Sequence, residues 1–256
     1  MRGRDRITIW IKKTRSFIGK SYKEAFIEFL QYGKGRHLVF LHGWGGSADS
    51  FRALADRLSR DYAVTLVDLY GFGKTPHPDH PLTLADYARG VKDLLSDLGV
   101  EDAILIGHSF GGRVAMRLAA EESFVRALVL VDSAGIPPRR GVKYALRVLF
   151  YKIGKAFGHP SKRAGSADYV ALRGAMRKTF VNVVNTSSVP DAKKILAPTL
   201  LFWGSEDKET PFYMCKRLRR LIRNSEIVEA RGAGHFSYLE RPEYAYRVIR
   251  AFCEAV

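Results

Sequence analysis

Three residues far apart in the chain could together perform nucleophilic catalysis. Ser109 stands in Gly107-His108-Ser109-Phe110-Gly111, after the apolar run Ile104-Leu105-Ile106 and before a helical pattern through Val114, Met116 and Leu118. Strand, one-residue bend and helix is the setting in which Gly-x-Ser-x-Gly has mechanical meaning: the bend pushes the hydroxyl out and aims the first amides of the helix at a bound group. Glycines flank the serine because a Cβ on either side would collide across so tight a turn. A serine hydroxyl is a weak nucleophile at neutral pH, so it needs a base, and the base needs an orienting group. His235, in Gly232-Ala233-Gly234-His235-Phe236, directly follows a strand and is the best placed of the seven histidines. His77, His80 and His159 lie in polar loops, and His108 adjoins Ser109 but faces the other side of the bend. Two acids end or follow strands at the same edge, Asp132 and Asp207, and both keep the chain order Ser, Asp, His. Order alone leaves both open, with Glu206 a weaker third.

An oxyanion formed at the serine needs two amide donors. Phe110, the residue after the nucleophile, supplies one. The glycine-rich His42-Gly43-Trp44-Gly45-Gly46, after the strand at 38–41, is suited to the other, assigned to Trp44. His42, Gly43 and His108, beside these donors, are expected to contact substrate.

The elements that must position these groups alternate. Short apolar strands at 37–41, 64–67, 103–107, 128–131, 199–203 and 226–230 are separated by helical patterns. Two more strands are expected at 7–11 and 26–30. Thr83 caps a helix whose Leu84, Tyr87, Val91, Leu94 and Leu95 recur at helical spacing, and Gly99 stops it. Such alternation gives a mostly parallel sheet covered on both faces. It breaks at 137–190, which carries no strand-like run. The expected organisation is therefore a core of 1–136 and 191–256 with a helical insertion at 137–190, over the edge where ligands bind.

The net charge of +16 is uneven. Seven Lys/Arg against Asp5 lie in residues 1–20, and eleven against Asp168 in 137–190; the remainder balances. Within the insertion, Val142, Leu146, Leu149, Ile153 and Phe157 form an apolar stripe at helical spacing over 142–157, and Lys143, Arg147, Lys152 and Lys155 surround it. A one-signed face can also draw anions, so a weak contact with anionic membrane surfaces is a possible role. Aromatics there are too few for a stacking platform, and no specific nucleic acid is expected. Cys215 and Cys253 have no metal-type spacing, which fits a reducing, cytoplasmic setting. No apolar run approaches the ~20 residues of a membrane span. No metal or other cofactor is expected. Gly43-Trp44-Gly45-Gly46-Ser47-Ala48 fits a dinucleotide pattern, but that reading leaves Ser109, Asp207 and His235 unexplained.

From Phe26 to its end the sequence resembles the α/β-hydrolase superfamily. Four motifs match in order: His42-Gly43-Trp44-Gly45, Gly107-His108-Ser109-Phe110-Gly111-Gly112, Gly204-Ser205-Glu206-Asp207 and Gly232-Ala233-Gly234-His235-Phe236. The resemblance implies an α/β-hydrolase fold: an eight-stranded, mostly parallel sheet, helices on both faces, and a helical cap inserted after the sixth strand. It also places the acid at Asp207 rather than Asp132. Members with an Asp nucleophile, the haloalkane dehalogenases and epoxide hydrolases, differ at Ser109. Three functions fit: a serine hydrolase of an ester, thioester or lactone with a small acyl substrate; a hydrolase of carbon–carbon bonds of the meta-cleavage type; and, in another class, a small-molecule receptor on the same fold.

Overall fold

The computed structural model of the chain describes residues 16–17, 24–76, 79–139 and 174–256. The expected strand at 7–11, His77, His159 and the amphipathic helix at 142–157 lie outside the described residues, as does most of the basic insertion.

Seven strands form the main sheet: β3 (Phe29–Tyr32), β4 (His37–Leu41), β5 (Ala63–Val67), β6 (Ala103–His108), β7 (Val125–Val131), β8 (Thr199–Gly204) and β9 (Ser225–Ala230). Their spatial order is β3-β5-β4-β6-β7-β8-β9, with β3 antiparallel to β5 and every other pairing parallel. Of the eight strands expected in the sheet, seven are found among the described residues, and the one expected at 7–11 lies outside them. Two short strands, β1 (Ser16–Phe17) and β2 (Glu24–Ala25), pair only with each other. The strand expected at 26–30 starts later, at Phe29. The insertion follows β7, the fifth described strand of this sheet in chain order; the strand expected at 7–11, which would make β7 the sixth, lies outside the described residues.

The central strands are largely apolar because both faces are covered. Along β4, Leu38 and Phe40 join one core while Val39 and Leu41 join the other; β6 divides Ile104 and Ile106 from Leu105 in the same way. Helices α1 (Arg52–Leu58, after a 3₁₀ turn at Ala48–Phe51) and α7 (Pro242–Ala255) cover the first face through Leu54, Leu58, Ala245 and Ile249. Helices α2 (Leu84–Asp97), α3 (Phe110–Glu121) and α6 (Tyr213–Leu221) cover the second through Leu94, Val114 and Leu218. Thr83 caps α2 as its sequence demands, its side chain accepting from the Asp86 amide while Asp86 returns a bond to the Thr83 amide. Cys215 and Cys253 are free thiols in opposite cores.

Strand order reverses at β4: β5 lies on one side of it and β6 on the other. In open α/β sheets the crevice at such a switch point is where ligands bind. Leu41 pairs in register with Gly107, so the loop after β4 and the bend after β6 emerge side by side. Of the insertion, helix α4 (Gly174–Asn185) and the short α5 (Val189–Ala192) are described. α4 is tied to the core: Thr179 Oγ1 accepts from the Leu82 amide at 2.9 Å, and Asn182 donates to the Leu82 carbonyl at 3.1 Å.

Candidate active site

Ser109 occupies the bend between β6 and α3 with φ +48° and ψ −110°, a region an L-residue enters only under constraint. The constraint is visible. Its N–H donates to the Val131 carbonyl at 3.1 Å, and its carbonyl accepts from the Ala134 and Gly112 amides at 3.0 and 3.1 Å. A Cβ on Gly111 would lie 2.0 Å from the Leu41 carbonyl oxygen, so only glycine lets α3 pack this closely on the end of β4.

The hydroxyl of Ser109 lies 3.0 Å from His235 Nε2, and His235 Nδ1 lies 2.8 Å from Asp207 Oδ2. The relay therefore runs from β6 across to the loops after β8 and β9. Asp207 Oδ1 accepts the amides of Glu209 and Thr210 at 2.8 and 2.9 Å, and the Thr210 hydroxyl lies 2.6 Å from Oδ2. Burial alone would raise the Asp207 pKa, but the bonds from His235 and Thr210 outweigh it and hold the carboxyl below its ordinary value. For His235 burial opposes the charged ring, but the Asp207 bond and charge prevail, with Glu209 and Asp132 adding to them, and its pKa is raised. The two partners thus shift in opposite directions, as an ion pair forming around a proton must.

Asp132, the other acid the sequence left open, is fully buried and does something else. Its Oδ1 accepts the Gly204 amide at 2.8 Å; its Oδ2 accepts the Ser237 amide at 3.0 Å and the Ser237 hydroxyl. It thereby ties the end of β8, three residues before Asp207, to the segment two residues after His235. Burial, against those bonds, pushes its pKa up to about 7.

A cavity of about 700 Å³ opens over Ser109. Gly43, Trp44, His108 and Phe110 line it, with Phe180 and Val183 from α4 and Glu209, Phe236 and Tyr238 from the far loops. Among the described residues the Trp44 and Phe110 amides have no protein acceptor. The Trp44 ring meets Phe72, Phe110 and Phe180 at centroid distances of 4.9, 5.2 and 5.0 Å, forming an apolar wall. His42 is not part of that lining. Its buried ring turns under the loop, where Nε2 accepts the Leu69 amide at 3.1 Å and Nδ1 donates to the Gly43 carbonyl at 2.7 Å, so both nitrogens serve the backbone. His108 lines the cavity, but its Nε2 donates to the His235 carbonyl at 2.8 Å. Burial, together with the nearby His235, drives its pKa down to about 3, so the ring stays neutral. Gly43 makes room for that ring: a Cβ there would sit 2.8 Å from His108 Nδ1.

Sequence reasoning missed Thr210, Arg113, Glu209 and Phe180. Arg113 was within reach, since it lies one helical turn beyond Ser109. Glu209 and Thr210 flank the acid motif, but only the folded loop shows them turned toward His235. Among the described residues no group of three or more His, Cys, Asp or Glu is placed to hold a metal ion, and no helix is long and apolar enough to cross a membrane.

A parallel sheet with a switch point at β4, a strained serine on a strand–helix bend, and a histidine and acid on the next loops of the same edge define the α/β-hydrolase fold. Residues 38–247 match the model of the alpha/beta hydrolase family; the chain belongs to that family and is a hydrolase of its type. It is similar to the AB hydrolase superfamily protein YisY of Bacillus subtilis (strain 168), 28% identical with 86% of this chain and 92% of that protein covered. It is also similar to a 2-hydroxy-6-oxo-6-(2'-aminophenyl)hexa-2,4-dienoic acid hydrolase of Metapseudomonas resinovorans, 26% identical with 87% and 88% covered. Among solved structures, a thermophilic esterase from Thermogutta terrifontis shares the fold, with a TM-score of 0.76 at 19% identity over 96% of this chain and 98% of that one.

Proposed function

We propose that the protein hydrolyses a carboxylic ester, thioester or lactone of a small acyl substrate through an acyl-enzyme on Ser109. The observation that carries this reading is the continuous relay Ser109–His235–Asp207, at 3.0 and 2.8 Å, opening into a cavity lined by Trp44 and Phe110, whose amides have no acceptor among the described residues. In the first step His235 Nε2 takes the Ser109 proton as Oγ attacks the carbonyl carbon, and Asp207 stabilises the imidazolium. The Trp44 and Phe110 amides receive the oxyanion. Collapse expels the alcohol, which takes the proton from Nε2. Water then repeats the sequence on the acyl-enzyme, releasing the acid and restoring the serine. His108 lines the cavity and also positions the His235 loop through its bond to the His235 carbonyl.

The test is turnover of p-nitrophenyl esters across acyl lengths by wild type and Ser109→Ala, with a fluorophosphonate label located by mass spectrometry. The substitution is expected to cost on the order of 10³–10⁶-fold in kcat. Near-wild-type activity in the variant would overturn the reading. A second reading, carbon–carbon bond hydrolysis, is supported by the similarity to the Metapseudomonas resinovorans dienoic acid hydrolase. Faster turnover of a meta-cleavage dienol than of any ester would select it.

A further inference from the structure

Arg113 is the only lysine or arginine among the described residues lining the catalytic cavity. It lies three residues beyond Phe110 and four beyond Ser109 on α3, so helical spacing sets it on the face that carries the nucleophile and one amide donor. A guanidinium has five N–H donors. Among the described residues only Nη1 is used, donating to the Val183 and Thr186 carbonyls at 3.0 and 2.6 Å. No carboxylate of the described residues pairs with it. Burial, with no compensating anion, lowers its pKa to about 10. A largely buried cation without a counter-charge is costly to keep, and the cavity it borders is where a ligand would supply one.

The opposite side of the cavity has the opposite sign. Glu209 Oε2 lies 3.3 Å from His235 Nε2, the atom that must hand its proton to the departing alcohol. An anion on the leaving group would therefore meet a carboxylate, whereas an anion on the acyl chain, directed away from His235 along α3, would meet Arg113. The strongly positive chain would draw such a substrate in.

We infer that Arg113 is the binding site for a carboxylate on the acyl part of the substrate, so that half-esters of dicarboxylic acids with an uncharged leaving group are preferred over neutral esters. This rests on the hydrolase reading above and names its substrate class. The competing role is purely structural: Arg113 holding the last carbonyls of α4. An anchor would affect charged and neutral substrates alike.

The full chain is assayed with mono-p-nitrophenyl adipate and p-nitrophenyl hexanoate, which share a six-carbon acyl chain. Wild type should favour the half-ester. Arg113→Gln should lower its kcat/KM by about 10- to 100-fold, chiefly through KM, with less than about threefold change on the hexanoate. Arg113→Lys should recover part of the loss. Equal losses on both esters would overturn the inference. Because Arg113→Gln could unsettle α4, binding is read separately: adipate, but not hexanamide, should raise the melting temperature of Ser109→Ala. Absence of that shift overturns the anion site. The shift, in a protein whose wild type turns over neither ester, would retain the site and sink the ester reading instead.

Discussion

Exchanging Asp132 and Asp207 in turn for asparagine separates two carboxylates that chain order alone presents as equals. Asp207 holds the His235 ring through a 2.8 Å bond to Nδ1. An amide there can present its N–H₂ to the ring and favour the wrong tautomer. Asp207→Asn should cost about 10³–10⁴-fold in kcat, or about 4–5.5 kcal/mol of transition-state stabilisation. Asp132 instead accepts the Gly204 amide, the Ser237 amide and the Ser237 hydroxyl, with no exposure to water. Asparagine keeps one oxygen and sets an N–H₂ against a donor on the other side, leaving at least one buried group without its acceptor. That costs about 1–3 kcal/mol, or a fall in Tm of roughly 2–12 °C for a chain of this size. The kcat of Asp132→Asn should fall by less than about tenfold. The pH dependence has a definite sign. The Asp132 pKa is about 7 in the fold against an ordinary 3.8, so the folded state binds the extra proton between those values. This group's contribution to wild-type stability is therefore greatest below about pH 4 and declines toward pH 7. Asparagine has no such decline, so the Tm gap between wild type and Asp132→Asn should narrow from pH 4 to pH 7. The assay is thermal melting across that range beside ester kinetics at one pH. A larger kcat loss for Asp132→Asn than for Asp207→Asn would refute the assignment of the acid, and a gap that stays level between about pH 5 and pH 7 would show Asp132 to be ionised throughout.

The rate of ester hydrolysis should rise with pH as His235 loses its proton, and since its pKa is raised by Asp207 and Glu209 against burial, the midpoint of kcat/KM should lie above the ordinary 6.5; a midpoint well below that value would mean that His235 is not paired as described. Gly111→Ala should be far more damaging than Gly99→Ala. The first sets a Cβ 2.0 Å from the Leu41 carbonyl oxygen, while the second meets open space and costs only the strain of a φ of +67°, about 1–2 kcal/mol; comparable melting temperatures for the two would contradict the packing of α3 against β4.

Much of this was legible in the sequence because each motif is also a mechanical necessity. Ser109 needs glycine at 107 and 111 whatever the reaction, and a base after β9 must leave the sheet at the edge where Ser109 emerges. What could not be read is direction. His42 stands beside the oxyanion loop in the chain, yet its ring turns beneath the loop to the Leu69 amide, because a buried backbone donor there needs an acceptor. Chain order leaves Asp132 and Asp207 level and the resemblance selects Asp207; only the fold shows why Asp132 is otherwise engaged, held by the Gly204 and Ser237 amides. The short strands β1 and β2 were also beyond reading: they are two residues each and pair only with each other, too short for an alternation of faces to declare itself.

The bond from His108 Nε2 to the His235 carbonyl has a consequence for how the protein loses activity on heating. His108 immediately precedes Ser109, so His235 is fastened to the strand that carries Ser109 and not only to its own loop. Being neutral over the working range, His108 keeps that fastening regardless of acidity. Fraying of the surface loop after β9 would therefore have to break this bond before it could part Ser109 from His235. Inactivation and loss of the sheet should then be a single event, with residual activity and far-ultraviolet ellipticity falling along the same curve.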